Sequence, residues 1–385
     1  MYCAIIGREK NLAYAELESV VGNFEKINLQ SVVFDYDNIE QININRFGTV
    51  IKLAEVVKTI PKSSDLNHEV SNTLKEIVQS RKISNLDFGI SVYGQKIPYK
   101  IYKKLLISSK KLLKRDGTKA RFVESNECIL NAAQIKHNKL NSSGIEMLLL
   151  YSDDQIILAT TYAVQDIDSY SKRDYGRPCR DMKVGMFPPK LAQSMINIGT
   201  IQADSIIYDP FCGSGIVLQE SLLQDIEVWG SDISAKMIKC SNSNLEWLNH
   251  NYTISQRYKV FTADATKLAI LPTQKYHIVT EGFLGRPLGT IPLKDDLNRE
   301  KHELSAIYLD FLKNTKNNPN QPENIVLTLP CWKQKDGLEH LNIIDQIQKL
   351  GYTIKQFQSV DYDKIIYKRP NQIVGRQILV LIPNK

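Results

Sequence analysis

Much that would settle the class of this chain at once is missing from it. Cysteine is sparse: six residues, at 3, 128, 179, 212, 240 and 331, with no Cys-x-x-Cys pair. That spacing argues against a disulfide framework or a zinc site and for a reducing cytoplasm. The six histidines show no metal-ligand spacing, so no metal is expected. No apolar run is long: those at 147–151 and 378–382 fall far short of the roughly 20 residues a membrane helix needs, so no membrane partner is expected. The start, MYCAIIGREKN, has no basic segment ahead of a long apolar core, so no secretory signal is expected either. There is no internal repeat and no low-complexity segment.

What remains is a chain of 385 residues with 43% apolar residues and a mean hydropathy of -0.26, the values of a globular protein of two or three domains. Its net charge of +7 is unevenly placed. Residues 84–140 hold twelve Lys/Arg against four Asp/Glu, +8 for that segment, so the rest is close to neutral. A localised basic region is the footprint of a polyanion partner, or else a solvated lysine-rich helix. Within it, Lys103, Lys104, Lys110, Lys111, Lys114 and Arg115 recur about every two helical turns, while Leu105, Leu106, Leu112 and Leu113 turn to a core.

The most informative stretch is IIYDPFCGSGIVL, residues 206–218. No lysine follows its glycines, which excludes a P-loop. The third glycine of a dinucleotide fingerprint is absent, because position 218 is Leu. A strand, glycine turn and helix that hold a nucleoside-type cofactor remain, beside an ordinary Gly-rich turn. Gly213 and Gly215 let the backbone approach a ligand where a Cβ would block it. Asp209 closes the strand at its C-terminal end, where open α/β sheets bind ligands. Three further short strands follow and each ends in an acid: Asp232 in IEVWGSDIS, Asp264 in YKVFTADAT and Glu281 in YHIVTEGFLG. One such acid is readily a helix cap. Four in succession are hard to explain by capping alone.

DPFCGSG with Asp232 and Asp264 downstream resembles the cofactor half of class I S-adenosyl-L-methionine-dependent methyltransferases, and its D-P-F-x-G-S-G form is similar to that of enzymes acting on base amino groups. Upstream, Arg177-Pro178, Arg180, Gly185, Pro188-Pro189 and Lys190-Leu191-Ala192 resemble the lead-in of the THUMP-containing tRNA guanine-N2 methyltransferases. The resemblance implies an α/β fold: a C-terminal Rossmann-like sheet with an antiparallel last strand, preceded by an α+β, ferredoxin-like and THUMP-like region. The expected division is a ferredoxin-like domain over 1–60, a THUMP-like RNA-binding domain over 61–165, a linker over 166–185 and a methyltransferase domain over 186–385.

The resemblance further implies S-adenosyl-L-methionine as cofactor, held by Asp209, Phe211, Gly213, Gly215, Asp232, Ile233, Asp264 and Ala265. It implies tRNA as partner, met by the basic helix and by Arg177 and Arg180, with a small activator protein in some relatives. For Arg177 and Arg180 an interdomain salt bridge is an equal reading. Trp332, in LPCW after the fifth strand, lines either the base pocket or the core.

An exocyclic amine is a poor nucleophile, since its lone pair is delocalised into the ring. Transfer to it needs acceptors that align the amine and take up the charge that develops. The amino-methyltransferase families use [D/N]-P-P-[Y/F] after the fourth strand. Here the chain reads Glu281-Gly282-Phe283-Leu284. Glu281, Gly282 and Phe283 are therefore the candidate catalytic residues, as carboxylate, carbonyl and stacking platform. Transfer to DNA or rRNA, or RNA binding without catalysis, stay open beside the tRNA reading.

Overall fold

The computed structural model describes residues 1–180, 187–267 and 271–384. It divides into two compact units. One comprises residues 1–10, 21–45 and 49–167; the other comprises 11–20, 46–48 and 168–385.

The first unit is built on eight strands: β1 (Tyr2–Ile6), β2 (Glu25–Asn28), β3 (Ser31–Phe34), β4 (Val50–Pro61), β5 (Asn85–Tyr93), β6 (Lys119–Val123), β7 (Ile145–Tyr151) and β8 (Gln155–Val164). Their order is β2-β3-β1-β4-β8-β7-β5-β6, so the segments 1–60 and 61–165 share one sheet, joined where β4 pairs with β8. All seven residues of β7 are buried, as its continuous apolar run suggests.

The helix Tyr99–Arg115 buries Tyr102, Leu105, Leu106, Ser109 and Leu113, one face at spacings of three and four. Leu112 is half-buried. Pro98 precedes the helix, and Gly117 just beyond it has φ +85°. At the centre of the sheet, Glu146 is fully buried. It accepts from Lys52 Nζ, Ser91 Oγ and Thr161 Oγ1, each at 2.5 Å.

The second unit carries β9 (Ile206–Asp209), β10 (Glu227–Asp232), β11 (Tyr258–Thr262), β12 (Tyr276–Thr280), β13 (Ile325–Gln334), β14 (Gly337–His340), β15 (Tyr352–Ile354), β16 (Ile366–Tyr367) and β17 (Val374–Pro383). The main path runs β11-β10-β9-β12-β13-β17-β15. The strands from β11 to β13 are parallel, and β17 is antiparallel to β13, the last-strand reversal that the resemblance implies. Every residue of β9 and β12 is buried. Chain order reverses between β9 and β12, so the connections leaving the two strands part to opposite sides and open a crevice at their C-terminal ends. The four acids picked out in the sequence all lie at or just beyond such ends.

Two expectations need amendment. Cys179 and Cys240 form a disulfide, 61 residues apart in sequence, with Cα atoms 5.4 Å apart. No Cys-x-x-Cys signal marks them, because the two are brought together only when the helix Ala235–Asn251 folds back; Cys3, Cys128, Cys212 and Cys331 are free and buried. Within the stretch expected to be a linker there is a helix over Ile167–Tyr175. Gly185 lies outside the described residues.

Candidate active site

The glycine turn after β9 is fixed by backbone contacts. Cys212 N–H donates to Ser231 O at 2.9 Å and Gly215 N–H to Cys212 O at 2.7 Å. Gly213 and Gly215 have φ of +50° and +79°, which glycine adopts without strain. A Cβ on Gly213 would point into open space, whereas one on Gly215 would strike Ser241 Oγ at 2.4 Å. Gly213 thus leaves the space beside the turn open, and Gly215 lets the turn approach the helix Ala235–Asn251.

Asp232, at the tip of β10, holds this turn. Its Oδ2 accepts from Gly213 N–H at 3.0 Å, and its Oδ1 from Ser234 N–H at 2.8 Å. A carboxylate has about four acceptor sites, so capacity for ligand hydroxyls remains. Ile233, next along, is 72% exposed, a large apolar side chain left uncovered beside the turn. Asp264 accepts from Thr266 N–H at 2.9 Å and Thr266 Oγ1 at 2.7 Å, contacts that hold its pKa below the ordinary value. Ala265 beside it is buried. Phe211 packs edge-on against Phe311, ring centroids 5.4 Å apart.

Asp209 is 2% exposed, and its Oδ1 accepts from Phe211 N–H at 3.1 Å. Burial pushes its pKa up to about 7; hydrogen bonds from Thr280 and Phe211 oppose the rise, while the charges of Asp232 and Glu281 add to it. Glu281 is likewise raised by burial and lowered by Arg376. Three carboxylates, Asp209, Asp232 and Glu281, thus share one end of the sheet, and Arg376 pairs with Glu281. That donor set, with an open glycine cradle, fits a cationic nucleoside ligand.

The loop after β12 is held from three directions. Arg376 on β17 donates from Nε to Glu281 Oε1 at 2.6 Å and is itself buried. Thr328 Oγ1 donates to the Glu281 carbonyl at 2.6 Å. Tyr308 Oη lies 3.1 Å from the Phe283 carbonyl and 3.0 Å from the Thr328 carbonyl. Gly282 has φ +72°, and a Cβ there would meet Tyr308 Oη at 2.5 Å. The loop therefore requires glycine where the related pattern has proline. With its neighbours' carbonyls engaged, the Gly282 carbonyl takes no hydrogen bond from the described residues. Phe283 is 45% exposed. A cavity of about 300 Å³ opens beside this loop, between Glu281–Leu288 and the chain at Asn371–Val374 with Arg376.

The remaining expected residues lie elsewhere. Lys103 pairs with Glu124 and, like Lys110, lies over the Phe122 ring. Lys104, Lys111, Lys114 and Arg115 are exposed. Arg177 is buried, its pKa lowered to about 10 chiefly by burial, and Arg180 is exposed. Trp332 is fully buried in the core beside β17, paired in register with Val374. Four contributors escaped sequence reasoning: Arg376, Tyr308, Thr328 and Asn244. Asn244 donates to the Cys179 and Ser214 carbonyls, both at 2.9 Å, and so ties the Arg177-Pro178-Cys179 stretch to the glycine turn. For Arg376 there was a signal, a charge inside the apolar strand VGRQILVLIP, which demands a partner.

Among the described residues no group of three or more His, Cys, Asp or Glu could hold a metal, and no helix is long and apolar enough to cross a membrane.

Residues 177–305 match the family model of the UPF0020, RMKL-like, methyltransferase domain, a span that includes the glycine turn and the Glu281 loop. The chain is 28% identical over 187 residues to tRNA (guanine(10)-N2)-dimethyltransferase of Methanothermobacter thermautotrophicus, which covers 48% of this chain and 51% of that protein. It is 34% identical over 97 residues to the enzyme of the same name from Pyrococcus abyssi, 25% of this chain and 26% of that protein. The chain thus matches about half the length of the first relative and a quarter of the other. Among solved structures it is similar to TrmN from Thermus thermophilus, with TM-score 0.53, 12% identity and 99% of each chain covered. It is also similar to a predicted N6-adenine-specific DNA methylase from Listeria monocytogenes, with TM-score 0.51, 11% identity, and 98% and 95% covered. These last two likenesses show the shared Rossmann-like fold alone.

Proposed function

We propose that the protein is an S-adenosyl-L-methionine-dependent methyltransferase that methylates guanine N2 in tRNA. The observation that carries this is the Glu281–Arg376 pair at the mouth of a base-sized cavity, next to a glycine turn ringed by Asp209 and Asp232. The relatives' names, tRNA (guanine(10)-N2)-dimethyltransferase, support the choice of substrate.

When bound, the cofactor supplies an electrophilic methyl group on a positively charged sulfur. Gly213 would give it room, Asp232 would accept from its ribose hydroxyls, and the Asp264–Ala265 turn would meet its base. Asp209 adds negative charge on the sheet's side. Phe283, exposed at the cavity, stacks on the target base. Glu281 Oε2 and the Gly282 carbonyl accept from the two N–H bonds of the amine and direct its lone pair. As nitrogen takes the methyl group and gains positive charge, the carboxylate stabilises that charge at short range, an interaction stronger in the transition state than before it, and Glu281 Oε2 receives the N–H proton that the amine then loses. Arg376 holds Glu281 by one oxygen and favours its charged form against burial, leaving the other oxygen for the amine. The Glu-Gly-Phe-Leu sequence thus serves the purpose of the related proline motif by a different route, with Tyr308 and Thr328 supplying the rigidity.

Residues 61–165 form the RNA-binding module in this reading, with the basic helix facing phosphates, and residues 186–385 the methyltransferase domain. We place the protein in the cytoplasm with its tRNA. The test is to incubate purified protein with labelled cofactor and tRNA transcripts and identify the product nucleoside. N2-methylguanosine is expected. A methylated adenosine, label only in DNA or rRNA, or binding of both ligands without transfer overturns the assignment.

A further inference from the structure

The cavity beside the Glu281 loop has a second wall that the proposed chemistry does not use. It is the turn between β16 and β17, residues 369–373. Gln372 N–H donates to the Arg369 carbonyl at 3.0 Å, and Arg369 N–H donates to Gln372 Oε1 at 3.4 Å. The carboxamide oxygen is therefore turned back onto its own turn. Its Nε2 has no acceptor among the described residues and is the end left for an occupant of the cavity, which Gln372 lines. Opposite stand acceptors: the Glu281 oxygen that Arg376 leaves unbound, and the Gly282 carbonyl. The Glu281 segment thus brings these acceptors to the cavity, beside Arg286, and the 371–374 segment brings the Gln372 donor, beside Asn371.

We propose that Gln372 is a specificity-determining residue that reads the ring carbonyl of the target base, so that the site selects guanine among amine-bearing bases. This rests on the reading above that the cavity takes the base to be methylated. Guanine presents an amine and a ring N–H, both donors, and beyond them O6, an acceptor. The amine meets the Gly282 carbonyl and Glu281 Oε2, the ring N–H meets the second lone pair of Glu281 Oε2, and O6 meets Gln372 Nε2. Adenine has an amine and no carbonyl, so Nε2 would lose its partner. Cytosine has both, but the ring nitrogen between them is an acceptor and would face the carboxylate. A buried or half-buried donor left unpaired costs far more than the bond contributes, and this is what makes such a contact selective.

The test uses the full-length protein and the tRNA transcript it methylates. Once the modified position is mapped, the same transcript is made with 2,6-diaminopurine there, which keeps the N2 amine, puts a donor in place of O6 and makes N1 an acceptor; the N1 change is common to wild type and variants, so the comparison of their guanine-to-diaminopurine ratios isolates the contact at O6. Wild-type protein should favour guanine over diaminopurine. Gln372→Glu keeps an oxygen for the Arg369 N–H but offers the cavity an acceptor, so the ratio of kcat/KM for guanine to that for diaminopurine should fall about tenfold or more. Gln372→Ala should lower the guanine rate and move the ratio less. Both substrates losing rate in equal proportion in Gln372→Glu, or an unchanged ratio, overturns this proposal and leaves guanine methylation standing. A wild type that transfers no methyl group to any transcript overturns the proposed function and this proposal with it.

Discussion

Each sheet buries carboxylates among apolar strands, and the two sheets treat them differently. In the N-terminal unit, Glu146 is enclosed by Lys52 Nζ and the hydroxyls of Ser91 and Thr161, and Lys52 also donates to the Leu130 carbonyl at 2.8 Å. All of these partners come from the unit's own chain, and the network sits in mid-sheet. In the C-terminal unit, Asp209 and Glu281 stand at strand ends. Burial raises the pKa of both, and Arg376 binds only one oxygen of Glu281. A buried charge that is fully partnered holds a fold together. One that is left partly partnered beside a cavity is arranged for something that arrives later.

The sharpest way to break this comparison is through Lys52. Lys52→Met strands Glu146 without its cation and should destabilise the protein by about 3–5 kcal/mol, read from urea denaturation. Lys52→Met with Glu146→Leu should recover most of that loss. If the single variant is as stable as wild type, the network is not structural and the contrast fails.

Glu281→Gln should do the reverse. Transfer to tRNA should fall about 10²–10³-fold, as when one preorganised transition-state hydrogen bond is removed. Cofactor affinity should stay near wild type in calorimetry, and because Gln keeps an oxygen for the buried Arg376, stability should fall by less than in Lys52→Met. Loss of folding instead would make Glu281 a second Glu146.

The pH dependence of Asp209 sharpens the contrast further. Its folded pKa, about 7, lies above the ordinary aspartate value of 3.8. The protonated form is thus favoured by the fold. That contribution to stability is full below 3.8 and is lost as pH rises through about 7. Above about 7 the free carboxylate attracts a cation. Affinity for S-adenosylmethionine should therefore tighten from about pH 6 to about pH 8 by up to about tenfold, and less for the product, whose sulfur is uncharged. Asp209→Asn should flatten the difference. Equal pH profiles for the two ligands in wild type would move Asp209 off the sulfonium.

The smallest effect expected is on the basic helix. Replacing Lys104, Lys111 and Lys114 with Gln should weaken tRNA binding and reduce the salt slope by about 0.7–0.9 for each phosphate that is no longer neutralised. Replacing Lys103 and Lys110, which are engaged with Glu124 and Phe122, should change it less. Equal slopes in the two variants would remove the distinction drawn between the two faces.

The glycine turn and its neighbouring strand tips were legible because their signal is local. A strand, a glycine turn and an acid at the next strand tip follow one another within residues 206–232, and the glycines report a backbone need that no other residue meets. The parallel strands announced themselves as short apolar runs. The Glu281 loop was legible only as a departure, since Gly282 in place of proline reads as looseness until Tyr308 is seen against it. The disulfide was misread for the same reason of distance.

The sequence alone determined the succession of strands along the chain, the residues that can bend at the turn, the acids that end the strands and the concentration of positive charge between 84 and 140. These follow from side-chain chemistry and from spacings within one element. Only the tertiary structure decided that Arg376 meets Glu281 from 95 residues away, that Lys103 and Lys110 turn to an aromatic ring while Lys104 and Lys111 face out, that Asn244 and Cys240 hold the stretch before the domain, and that Gln372 stands across a cavity from Glu281. Such pairings depend on how strands far apart in sequence come into register, and the energy that sets the register is summed over the whole core. No short stretch of chain contains that sum.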